Sequence, residues 1–115
     1  MASALPKEMQ CIEISAPGKP EVLRLATRAL PAPKAGEVLV KVAATGVNGP
    51  DMMQRKGLYP APAGASDLLG LEIAGEVTAV GKGVTRWKAG DKLCGLTNGG
   101  GYAEYCVIEI GRAHV

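Results

Sequence analysis

The sequence predicts a mainly β domain, a small and partly open barrel or sandwich carrying one or two short helices. Short runs of β-branched and aliphatic residues recur along the 115 residues with glycine turns between them. The chain holds 16 glycines, one tryptophan and no phenylalanine, so aliphatic side chains must fill a core threaded by many turns. Only one stretch, Pro50 to Lys56, reads convincingly as helix. A chain of this length fits one domain, whose folding removes roughly two-thirds of its extended surface from water.

The elements follow in order. Met9 to Ser15 and Val22 to Ala26 are strand-like runs separated by Pro17, Gly18, Lys19 and Pro20, whose backbone restrictions favour a turn, so the chain opens with a hairpin. Leu30 to Gly36, with Pro31 and Pro33, is a rigid connector. Val38, Val40 and Val42 then alternate with Leu39 and Lys41 at the period of a strand. Pro50 suits a first helical position, Asp51 favours the positive helix end, and Gly57 stops the helix. Met52 and Met53 on it read as core filler. Tyr59 to Gly64 is proline-rich and forms a loop. Glu72 to Val80 and Lys92 to Gly95 are the next strands, and Tyr102 to Ile108 is the last.

Composition narrows the function classes. A net charge of +2 with the two signs dispersed argues against a nucleic-acid face or a polybasic membrane patch and favours a small-molecule partner. Met1 to Lys7 is too short and polar for a signal-peptide core, and no apolar run approaches the ~18 residues that span a bilayer, so the expected location is cytoplasmic. Cys11, Cys94 and Cys106 are widely spaced with no C-x-x-C, which reads as reduced, mostly buried thiols rather than a disulfide or metal framework.

Residues 46–60 (GVNGPDMMQRKGLYP) form one dense run of motif. A second run begins Gly70, Leu71, Glu72, Ile73, Ala74, Gly75, Glu76, Val77 and continues through Gly81, Gly83 and Gly90 to Asp91 and Lys92. With Gly99 to Tyr105, they resemble the catalytic half of the medium-chain dehydrogenase/reductase superfamily. The resemblance covers nearly all of residues 9–108 and is strongest to its zinc-independent NAD(P)H:quinone oxidoreductases, of the p53-inducible type beside the zeta-crystallin-like enzymes. It implies a GroES-like, alcohol dehydrogenase-like N-terminal domain, truncated, over residues 1–108. The nucleotide-binding Rossmann domain lies outside this chain. Gly99, Gly100 and Gly101 do not replace it, because a phosphate cradle needs a G-x-G-x-x-G turn opening a helix and a strand pattern follows here.

The resemblance also selects the site. In the zinc alcohol dehydrogenases of that superfamily a cysteine stands about where Asn48 does, and Gly-His-Glu occupies the place of Gly70, Leu71 and Glu72. An amide and an aliphatic side chain cannot supply the thiolate and imidazole of an open tetrahedral zinc site, so no metal is expected. Hydride delivery to an electrophilic quinone needs positioning more than a Lewis acid. The resemblance implies that Asn48, Asp51 and Tyr59 line the substrate cleft, with Asn48 and Tyr59 also facing the cofactor, NADPH in the full-length parent, and that the parent is a homo-oligomer. Structural roles stand beside these: Asp51 as a helix-start residue, Asn48 as a turn former, Tyr59 as packing under a loop, and Glu72 as a supporting residue. Gly49 departs from the pattern, because similar quinone reductases commonly carry a basic residue there. A 2-alkenal or enoyl reductase of the same superfamily, a zinc dehydrogenase remnant and a free-standing β-barrel interaction module are the competing readings.

Residues 109–115 leave the family pattern together. Their back-translation GAG-ATC-GGA-AGA-GCA-CAC-GTC reads as a common short-read sequencing adapter, so the expectation is a non-native tail on a truncated gene product. Unpaired strand edges and poor solubility would follow from the truncation.

Overall fold

The opening hairpin is strand β1 (Glu8–Ile14) paired antiparallel with β2 (Leu23–Ala29) across a 3-10 turn at Pro20–Val22. This is a computed structural model that describes residues 5–115, so the start of the Met1 to Lys7 segment lies outside the described residues. β3 (Glu37–Thr45), β4 (Glu72–Val80), β5 (Lys92–Leu96), β6 (Tyr105–Glu109) and β7 (Ala113–His114) form a second, antiparallel sheet in the order β6-β3-β4-β5-β7. Register shifts between β3 and β4 at Leu39/Val40 and Val42/Ala44 bend the pair, because an extra unpaired residue increases local twist. The result is a mainly β, curled half-barrel, within the barrel-or-sandwich class that the glycine turns anticipated.

β3 is buried on both faces at Val38, Leu39 and Val40 and largely exposed beyond them. Val38 and Val40 pack with Ile73, Val77, Leu93, Cys106 and Ile108 on one side. Leu39, pointing the other way, packs with Met9, Cys11, Leu68 and Tyr105 under the hairpin. The hairpin is held at its turn, where the Gly18 N–H donates to the Arg55 carbonyl and Arg55 Nε to the Gly18 carbonyl, and by two further anchors. The Arg28 guanidinium donates to both Asp67 oxygens at 2.7 and 2.9 Å and to Glu13 Oε2 at 2.6 Å, and it holds the Asp67 carboxyl below the usual range. Across the top, Ile12 N–H donates to the Tyr102 carbonyl and Glu104 N–H to the Gln10 carbonyl, with Cys11 bridged to Ala103.

That second anchor corrects the expected last strand. Residues 102–104 bond to β1, with the Glu104 carbonyl also accepting the Val42 N–H of β3 at 2.8 Å, and the regular β3 register begins at Tyr105, so β6 is shorter at its start than the alternation suggested. The helix α1 (Gly49–Arg55) lies where it was expected, stopped by Gly57 at φ 84°. Its methionines do not fill the core: Met52 is 45 % and Met53 42 % exposed, because the only helix residue turned fully inward is Asp51. Cys94 is likewise exposed while Cys11 and Cys106 are buried. Residues 110–112 form a 3-10 turn and β7 pairs with β5, placing Ile110 and Ala113 against the core. Among the described residues no helix is long and apolar enough to cross a membrane.

Candidate functional site

The site is built where two loops cross by backbone contact. Gly101 N–H donates to the Gly70 carbonyl at 3.0 Å and Tyr102 N–H to the Leu69 carbonyl at 2.9 Å. A Cβ at Gly70 would stand 2.5 Å from Gly101 Cα, and Gly70 adopts φ 105°, so no side chain fits. The Gly100 N–H is engaged too, by the Leu68 carbonyl. The Gly100 and Gly101 amides are therefore committed to the crossing and do not fit a phosphate.

Asp51 ties the helix to this crossing. The side chain is 2 % exposed, and its Oδ2 accepts the Asn48 backbone N–H at 3.0 Å and the Tyr102 hydroxyl at 3.2 Å, while Oδ1 accepts the Gly70 N–H at 3.1 Å. A buried carboxylate must be saturated with donors, and the start of a helix supplies them. Burial, and then the neighbouring Asp51 charge, pushes the Tyr102 phenol up to about 12. Tyr102 remains a neutral donor at any ordinary pH. It is the site residue the sequence reading missed: a hydroxyl-bearing aromatic after three glycines was its only signal, and strand alternation absorbed it.

Asn48 is half-buried, with its Nδ2 and the Glu72 Oε1 closing over Gly46, where an added Cβ would collide with the carboxylate. The Thr45 hydroxyl and Gly46 N–H both donate to the Glu72 carbonyl, which fixes this corner of β3 against β4. The Glu72 side chain is exposed. Tyr59, 43 % exposed, lies in a separate cleft of about 230 Å³ that it shares with Leu71, Leu96 and Asn98. The structure thus joins Asn48 to Asp51 and Tyr59 to Leu71. Asn48 does not line the cleft that holds Tyr59. No three of His, Cys, Asp and Glu converge as metal ligands among the described residues.

The alcohol dehydrogenase GroES-like domain family matches residues 34–114. The chain belongs to that family. It is 45 % identical over 98 residues to a quinone oxidoreductase of Pseudomonas aeruginosa, covering 84 % of this chain and 30 % of that protein. It is 42 % identical over 101 residues to a quinone oxidoreductase of Lama guanicoe, covering 86 % and 31 %. The solved quinone oxidoreductase of Pseudomonas syringae superposes with a TM-score of 0.82 at 39 % identity, over 92 % of this chain and 33 % of that one. The chain therefore spans about a third of the length of the relatives it matches.

Proposed function

We propose that this chain is the substrate-side part of an NADPH-dependent quinone oxidoreductase that delivers hydride to a quinone without a metal. The observation that carries this reading is Leu71 in a cleft that it shares with Tyr59 and Leu96 among polar Gln54 and Asn98, and Asn48 at the helix start, where the related zinc enzymes need an imidazole and a thiolate. A planar, electrophilic ring suits such a cleft, because apolar walls bind its faces and a few neutral donors orient its oxygens.

When bound, the nicotinamide nucleotide would supply the hydride. This chain's residues do the rest. Tyr59 offers a neutral donor in the cleft, Asn48 stands at the helix start outside it, and Asp51 works indirectly, holding the Asn48 backbone and the Gly70 turn rather than touching substrate. The nucleotide's phosphates require a domain outside these residues, since the Gly100 and Gly101 amides are engaged.

The test is turnover by the full-length parent. Oxidation of NADPH with a quinone as acceptor should persist after exhaustive chelation, and the 115-residue chain alone should bind no NADPH. Loss of activity on chelation, restored by zinc, would refute the metal-free reading. Faster turnover of an enone than of any quinone would favour the 2-alkenal or enoyl reductase reading instead.

A further inference from the structure

Leu96 ends β5 with its side chain 57 % exposed, unlike Leu93 on the opposite face, which is buried. It lines two cavities at once. On one side is the Tyr59–Leu71 cleft of about 230 Å³. On the other is a larger cavity of about 730 Å³ over the outer face of β5, walled by Glu72, Cys94 and Gly95 of the sheet and by Gly111, Arg112 and His114 of the closing 109–115 segment. Arg112 is the one other residue common to both. The smaller cleft is below the ~300–1,000 Å³ of a pocket for a drug-sized ligand, and the larger lies within it.

We infer that Leu96 sets ligand size in this 115-residue chain, by dividing one long trough into a single-ring compartment beside Tyr59 and a second compartment over Cys94. The inference rests on the quinone reading for its choice of ligand. The physical argument concerns the wall. A γ-branched side chain between two voids confines a rigid planar ligand, and shortening it to a methyl joins them. The Thr97 N–H donates to the Leu71 carbonyl at 2.7 Å, so the backbone under the wall is fixed and truncation opens space rather than letting the strand collapse. Glu72 and Arg112 place charges along the second compartment, so a ligand extending there keeps polar groups at its far end.

The test uses the 115-residue chain and two quinones that cannot add to a thiol: duroquinone, with one fully substituted ring, and 9,10-phenanthrenequinone, with three fused rings. Binding is followed by backbone-amide NMR titration in the wild-type chain, Leu96→Ala and Leu96→Trp. Leu96→Ala should tighten phenanthrenequinone roughly fivefold, leave duroquinone within about twofold, and extend the perturbed amides from Leu71 and Thr97 to Cys94 and His114. Leu96→Trp should weaken the three-ring ligand selectively. Equal changes for both ligands, perturbations that never reach Cys94, or no binding of either quinone would overturn the inference. Because no hydride is transferred, the full-length enzyme could fail to reduce quinones while the size selection holds, and the two failures are distinguishable.

Discussion

At Asp51 one buried carboxylate receives two backbone amides and a phenol, so removing it strands three donors at once. Asp51→Ala should cost about 3 kcal/mol in urea unfolding, and Tyr102→Phe about 1 kcal/mol, since only one bond is lost and Asp51 keeps its amides. The double variant should cost less than the two together, because both remove the same bond. Alkali supplies a second reading of these residues. The Tyr102 phenol is raised to about 12 from 10.0, and burial lifts the Cys106 thiol to about 11 from 9.0. Both hold their protons longer folded than unfolded, so stability is full below pH 9 and falls as pH rises through 9 to 12, which the urea midpoint against pH should show. Buried Cys11 and Cys106 should react slowly with N-ethylmaleimide and exposed Cys94 quickly. The sequence showed Asp51 both as a helix-start residue and as a site residue. It could not show that the acid is buried, because its third donor, Tyr102, stands far away in the chain and meets it only through the crossing.

Among the elements, helix α1 and the strands were legible wherever a local rule governs them. Pro50 and Gly57 bracket the helix, and Glu72–Val80 carries an alternation that needs no knowledge of its partners. The start of β6 was not legible, because residues 102–104 are claimed by a distant strand. Nor was the exposure of Met52 and Met53, because a two-turn helix docked by its polar end has no need of an apolar face. Glycines separate the same way. Gly70→Ala forces a methyl into the Gly101 backbone at a φ that disfavours side chains, and should cost about 3 kcal/mol or more in urea unfolding or prevent folding. Gly49 has nothing within 4 Å of an added Cβ, so Gly49→Ala should stay within about 1 kcal/mol of the parent by the same measurement.

For the whole molecule, the fold class followed from turn spacing and apolar composition, whereas the sheet order β6-β3-β4-β5-β7 depends on contacts between distant segments that no local pattern carries. Leu25, Val47, Leu58 and Leu96 are each more than half exposed, and β2 is the outer edge of its hairpin. The chain alone should therefore self-associate with rising concentration in analytical ultracentrifugation, and a sharp monomer at every concentration would contradict this. Residues 110–114 sit against this sheet whatever the origin of their codons, and recovering the nucleotide sequence decides whether they are native. The pairing of Glu37 with Glu109 and the bridge from Cys11 to Ala103 have a temporal side as well. β3 cannot acquire its second neighbour, nor the hairpin its seat, until the chain through Glu109 has been synthesised. During translation the hairpin and the β3–β4 pair must wait as separate, half-covered pieces, so a ribosome that stalls before Tyr105 releases a chain with no assembled interior.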